Sequence, residues 1–295
     1  MSPTLDLASY ETDRLAERAS AWSDRLPPHF SVSQLQLFQR CPEQYRREKV
    51  LGLRSRTTEK LFVGSAVHIG VENALRHKLS TGLDLDLAEA VSSFQEVWWP
   101  QALDAERALG EEDIRWDEES DEERARHRAS QMFGTYVREV GPRLAPVAVE
   151  EEFLYPIEGC PIPVKGRIDI RQTVSVIDLK TSTRRQVKLG EGWRLQAAVY
   201  NAVGGLPVEF HTISAAPRTN AISIATPLDS EALLVSPSAG EHREYMRTVR
   251  AIVGAIAEAM ERYGSEEPWP TYGVFHSYAC DYCSFRSDCP AWETV

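Results

Sequence analysis

The spacing of apolar and polar positions divides the chain into a helical first half, a strand-rich middle and a helical end. Ser31-Val-Ser-Gln34 has the form of a capping box, and Leu35, Phe38 and Cys41 follow it at helical intervals. Pro42 opens a new turn that carries Tyr45 and the basic residues Arg46, Arg47 and Lys49. Val67, Val71 and Leu75 share one face of a helix predicted over 64–79. Leu87, Val91, Phe94 and Trp98 do the same for a helix over 85–108. The acidic stretch 110–121 reads as a solvated loop, and Ala129, Met132, Phe133 and Tyr136 predict a further helix reaching Val140. After Pro146 the pattern changes: 147–155, 162–170 and 174–179 are β-rich runs separated by turn residues. A helix is predicted over 193–203, strands over 208–215 and 221–227, and a long amphipathic helix over 239–263.

That order of elements predicts an α/β fold, with helices first, then a small sheet with a crossover helix, then a helix and a cysteine-rich tail. The expected divisions are a flexible lead-in at 1–28, a helical N-terminal region at 29–145, a core sheet with its crossover helix at 146–238, and a closing helix and tail at 239–295.

Composition narrows the setting. The 295 residues are 42% hydrophobic and 26% charged, as in ordinary globular proteins. No apolar run approaches the roughly 20 residues that span a bilayer, and the polar, acidic start lacks the features of a secretory signal. The expectation is therefore no membrane partner and a reducing, cytoplasmic location, where clustered cysteines bind metal more often than they form disulfides. A net charge of −11 argues at first against nucleic acid. Its distribution weakens the objection. Eleven acidic residues lie between Asp104 and Glu123, whereas Ser31 to Lys60 holds seven basic residues against three acidic, and Lys180 to Arg194 five against one. A basic groove on an acidic body is compatible with this sequence.

The cysteines carry the first chemical signal. Cys280, Cys283 and Cys289 form a C-x2-C-x5-C group, one thiolate short of a tetrahedral site, and Cys41 is the natural fourth. Such a site would join the two ends of the chain. Spacing alone leaves zinc and an iron–sulfur cluster both open. Cys160, isolated in E-G-C-P, reads as a turn or strand residue.

Between those ends lies G-R-I-D, ending at Asp169, and I-D-L-K, with Asp178 and Lys180 two apart on one strand face. A hairpin through 171–173 would bring the two carboxylates and the ammonium together, a set suited to metal-assisted phosphodiester hydrolysis. Taken alone, D-x-K is more often a solvated ion pair. His68, in G-S-A-V-H, stands where an imidazole could reach a metal, although a lone histidine there is more commonly structural. Gln196 and Tyr200 are four apart on the predicted crossover helix and share a face, which packing on the sheet would equally explain.

These segments, in this order, resemble the RecB-like nuclease domain of the PD-(D/E)xK superfamily, from about Ser31 to Pro290. The matching pieces are S-x-x-x-L-x-x-F-x-x-C-P-x-x-Y around Cys41, G-x-x-x-H ending at His68, G-R-I-D, I-D-L-K, Q-A-A-V-Y and the cysteine triplet. The resemblance is to the iron–sulfur subgroup, which includes CRISPR-associated and phage-borne exonucleases and the AddB nuclease domain. It implies a restriction-endonuclease-like core, a small mixed sheet flanked by helices, with the cysteine-rich tail closing on the N-terminal helical region. It implies that His68, Asp169, Asp178 and the Leu179 carbonyl hold Mg²⁺ or Mn²⁺, that Lys180 assists the attacking water, and that Gln196 and Tyr200 orient substrate or lysine. It further implies a 4Fe–4S cluster on Cys41, Cys280, Cys283 and Cys289.

The function expected on these grounds is a metal-dependent deoxyribonuclease, an exonuclease acting from single-stranded or frayed DNA ends. The alternative is a non-catalytic DNA- or partner-binding protein that keeps the fold, with zinc in the four-cysteine site. The chain has no G-x-x-x-x-G-K-[ST] phosphate loop. A helicase, recombinase or adaptation integrase would thus be a separate partner, and an oligomer is compatible with the sequence. Tyr45, Arg46, Arg47, Arg184 and Arg185 are the candidate DNA contacts, with Tyr45 expected to be exposed for base stacking.

Overall fold

The structure, a computed structural model, describes residues 27–108, 114–117, 121–158, 160, 162–216, 219, 221–271, 278–281 and 283–291. Nearly all of the expected lead-in and most of the acidic loop at 110–121 lie outside the described residues. The chain divides into two compact units, and two of the four divisions fall inside the first two strands.

The larger unit, Arg56–Glu152 with Arg167–Ser236, holds most of a mixed six-stranded sheet. Strands β1 (Ala148–Tyr155), β2 (Val164–Arg171), β3 (Val176–Ser182), β4 (Val208–Ala215) and β5 (Ile222–Ala225) are neighbours in that order. A short β6 (Leu234–Val235) pairs with β4. β2 and β3 are antiparallel, with Ile170 opposite Ile177 and Arg171 opposite Val176. β3 and β4 are parallel, so the chain must cross over between them. It does so through a helix at Glu191–Gly204.

β3 is the central strand, and its Val176-Ile-Asp-Leu179 run is buried on both faces, as parallel pairing under helices requires. Phe62, Val67 and Val71, from the helix at Glu59–Thr81, pack with Phe133 and Tyr136, from the helix at Glu122–Glu139, against Ile170, Ile177, Leu179 and Ile213. Each such side chain contributes about 1.5–3 kcal/mol by leaving water. The helix expected over 85–108 is broken in two, Leu87–Ser93 and Trp99–Ala108, with a π-helical turn at Phe94–Trp98. Pro100 is the reason: it has no N–H for the helical ladder, and the wider turn absorbs the misfit. The same turn leaves both Phe94 and Trp99 in the core.

The smaller unit gathers residues 27–55, Phe153–Gly166 and the chain from Pro237 onward. In chain order with the helices above, α1 is Val32–Arg40, α2 Pro42–Tyr45, α3 Glu59–Thr81, α4 Leu87–Ser93, α5 Trp99–Ala108, α6 Glu122–Glu139, α7 Glu191–Gly204, α8 Ala239–Tyr263 and α9 Tyr278–Asp281. Capping boxes start both α1 (Ser31 with Gln34) and α8 (Ser238 with Glu241). The core of this unit includes a ring cluster in which Tyr45 stacks on Trp269 at 6.0 Å, with Phe38 edge-on to both. Among the described residues, no helix is long and apolar enough to cross a membrane.

Candidate active site

The site lies within the larger unit, where β2 and β3 run side by side and α3 and α7 bring side chains to them. Continuing the register of Ile170 with Ile177 sets Asp169 opposite Asp178, so two carboxylates share one face. Asp169 Oδ2 accepts a hydrogen bond from the Leu179 amide at 2.7 Å. Asp178 is buried, and Lys180 Nζ lies 2.6 Å from its Oδ2. Alternation along β3 makes this pair possible, because residues two apart point the same way.

α7 supplies the brace for that pair. Gln196 accepts from Lys180 Nζ at 3.0 Å and donates to Asp178 Oδ1 at 2.7 Å and to the Tyr200 hydroxyl at 2.8 Å. Tyr200 in turn donates to the Arg167 carbonyl at 2.9 Å. The four-residue spacing of Gln196 and Tyr200 thus forms a continuous chain of bonds from β3 across α7 to β2. Lys180 Nζ also sits 5.9 Å from the ring centres of Trp193 and Phe210, which stack on each other beside the ammonium.

α3 supplies His68. The helix can approach β3 closely because residue 64 is glycine: a Cβ there would lie 2.7 Å from Thr181 Oγ1. One turn later, His68 Nδ1 lies 3.6 Å from Asp169 Oδ2, and the imidazole is hydrogen-bonded to the Leu179 backbone. Burial lowers the pKa of His68, so its ring is neutral near pH 7 and keeps a lone pair to offer. The Asp169 carboxyl is pushed up to about 7, first by burial and then by the charge of Asp178. A buried pair of like charges, beside a neutral imidazole and a backbone carbonyl, is a donor set that fits a hard divalent cation.

Sequence reasoning missed Glu150. Its carboxylate, with His68 and Asp169, completes a group whose ligand atoms all lie within 4.8 Å of one another. Burial and the Asp169 charge push the Glu150 carboxyl up to about 7, and Arg167 is its ion-pair partner. The segment V-A-V-E-E-E contains three consecutive glutamates, and period-two alternation alone does not single out the first of them as the inward one.

Elsewhere the expectations divide. Cys41, Cys280, Cys283 and Cys289 are all in the smaller unit, all half-buried, and no disulfide joins them. Burial raises the Cys283 thiol, and Cys41, Cys289 and Cys280 all stand close enough to raise it further. Cys160 is half-buried as well. Tyr45 is not exposed: it is 1% accessible and packed on Trp269, so it has no face for a base. The neighbouring arginines are also turned inward. Arg46 makes a two-pronged pair with Glu43 and donates to the Ser265 carbonyl, and Arg47 pairs with Glu43 and donates to the Asp288 carbonyl. Both serve as internal ties in place of the expected DNA contacts. Arg184 and Arg185 are exposed, with Arg185 paired to Asp229 at 3.1 Å.

Two solved structures are similar along nearly their whole length. One, from Eubacterium rectale and provisionally named an exonuclease, is 16% identical, with a TM-score of 0.49 and coverage of 91% of this chain and 90% of that one. The other, SSO0001, is 14% identical, with a TM-score of 0.36 and coverage of 97% and 96%. No curated protein matches the chain. The sequence profile of the PD-(D/E)XK nuclease superfamily matches residues 29–290, and the chain belongs to that superfamily.

Proposed function

We propose that the protein is a divalent-metal-dependent exonuclease that hydrolyses DNA from single-stranded or frayed ends. The observation that carries this reading is the bonded chain Asp178–Lys180–Gln196–Tyr200 set beside His68 and Asp169. A non-catalytic fold has no need to hold a lysine against a buried carboxylate by so many bonds. His68, Asp169, Asp178 and the Leu179 carbonyl would hold Mg²⁺ or Mn²⁺. Bound there, the cation would polarise the phosphodiester and lower the pKa of a water. The residues do the rest. Lys180 places a positive charge beside the attacking water and the negative charge that builds on the phosphoryl oxygens. Gln196 fixes both Lys180 and Asp178, and Tyr200 anchors Gln196 to β2. Hydrolysis joins the water oxygen to phosphorus, breaks one ester P–O bond, and leaves the water's proton on the departing oxygen.

The iron–sulfur reading of Cys41, Cys280, Cys283 and Cys289 belongs to the same proposal. It rests on four half-buried thiols, of which Cys41, Cys280 and Cys289 all stand within electrostatic reach of Cys283. A 4Fe–4S cluster there would tie α1 to the tail within the smaller unit. Anaerobically purified protein should absorb at about 400 nm; colourless protein with stoichiometric zinc overturns this part.

The exonuclease claim is tested with one DNA sequence prepared as a linear single strand and as a closed single-stranded circle, each incubated with Mn²⁺. Loss of the linear form with the circle intact is the expected result. Equal cutting of the circle would make the enzyme an endonuclease.

A further inference from the structure

Glu150 is the one described residue other than glycine with positive φ, at 54°. Holding a side chain in that left-handed conformation costs of the order of 1 kcal/mol, and a strand does not ordinarily require it. The bend re-aims one residue of β1 out of the pleat alternation. What it aims is a carboxylate whose side chain is only 6% exposed. Its destination is the group formed with His68 and Asp169, all within 4.8 Å. Arg167, on β2, is 59% exposed and pairs with the carboxylate from the solvent side. A buried glutamate that only needed a salt bridge would not require a strained backbone beside two other ligand groups, one of them a carboxylate that repels it.

We propose that Glu150 is a ligand of the divalent cation, supplying a carboxylate from β1 to the set formed by His68 on α3 and Asp169 on β2. This inference rests on the metal-dependent reading of the site. The bend in β1 sets the carboxylate in place before the cation arrives, and the ion pair with Arg167 offsets part of its burial while the cation is absent. Three ligands then come from three separate elements, so the cation would also tie β1, β2 and α3 together.

The test uses the full chain and Mn²⁺ alone, with binding read by isothermal titration and by the electron spin resonance signal of the free ion. Glu150→Gln keeps the shape and removes the charge. Glu150→Gly removes the side chain at a position whose φ glycine adopts freely, which guards against loss of binding through misfolding. Both variants should bind Mn²⁺ at least about tenfold more weakly than the parent, since removing even a group that only supports a ligand costs that much. The rise in melting temperature on adding Mn²⁺ should shrink in step. If the parent binds Mn²⁺ and both variants bind it equally well, Glu150 is not a ligand and the metal-dependent reading stands without it. If the parent itself binds no Mn²⁺, the metal-dependent reading fails and takes this inference with it.

Discussion

Gln196 makes three hydrogen bonds within the site, reaching Lys180, Asp178 and Tyr200 at once. Replacing it with leucine leaves the charged pair in place but unbraced. Gln196→Leu should lower kcat for DNA degradation by about 10–100-fold with little change in KM, because small misplacements of a reacting group act on the chemical step. Steady-state kinetics on a labelled oligonucleotide measures that split. Glu43 plays a structural counterpart in the smaller unit. Burial pushes its carboxyl up, but Arg46, Arg47 and the Trp269 amide outweigh that and hold it below its ordinary value. A carboxylate with a lowered pKa stabilises the fold above the unfolded value of about 4.3 and loses that contribution as pH falls through the folded value. Glu43→Gln should therefore cost about 3–5 kcal/mol at neutral pH, as for a broken buried pair, and the gap from the parent should begin to narrow as pH falls below about 4. Denaturant unfolding across that pH range measures the gap. The sequence made Asp178 and Lys180 readable because alternation fixes their shared face. It did not make Tyr45 readable, because the partner that buries it, Trp269, is far away in the chain. Arg46 and Arg47 were misplaced for a related reason, since a basic cluster in sequence does not show that its side chains turn inward onto Glu43.

At the level of elements, the site depends on how closely α3 lies to β3. Gly64 sets that distance, since a Cβ would meet the Thr181 hydroxyl at 2.7 Å. Gly64→Val should push the helix off the strand, costing about 1–3 kcal/mol from overpacking and moving His68 away from Asp169. The expected outcome is a lower melting temperature together with weakened Mn²⁺ binding, seen by thermal unfolding with and without the ion. Gly166 has a matching role in the smaller unit, where the Phe153 ring occupies the space a Cβ would need. Both motif glycines are thus explained by close approach. The periodicities located the elements well: α8 and β4 have the bounds expected from pattern alone, 239–263 and 208–215. Periodicity could not show the break at Phe94–Trp98, because the apolar positions continue through a π turn as they would through an α-helix. Nor could it show β6, whose two residues are too few to carry a period.

For the whole molecule, a net charge of −11 means that any DNA contact must be local and held through phosphates. Binding of single-stranded DNA should weaken steeply and linearly in log salt, which fluorescence anisotropy at increasing salt would follow. The α/β class and the superfamily were legible in the sequence because six short segments occur in order, each set by a geometric need of the site. Glu150 was not legible, because only the backbone bend distinguishes it from the two glutamates that follow it. The central claim is that the acidic pair with Lys180 cuts DNA with a divalent cation. The most direct measurement is release of label from end-labelled DNA by the parent and by Asp178→Ala, with Mn²⁺ and with chelator. The parent should release label only with the ion, and the folded variant should release none. A variant that degrades DNA as fast as the parent would contradict the account.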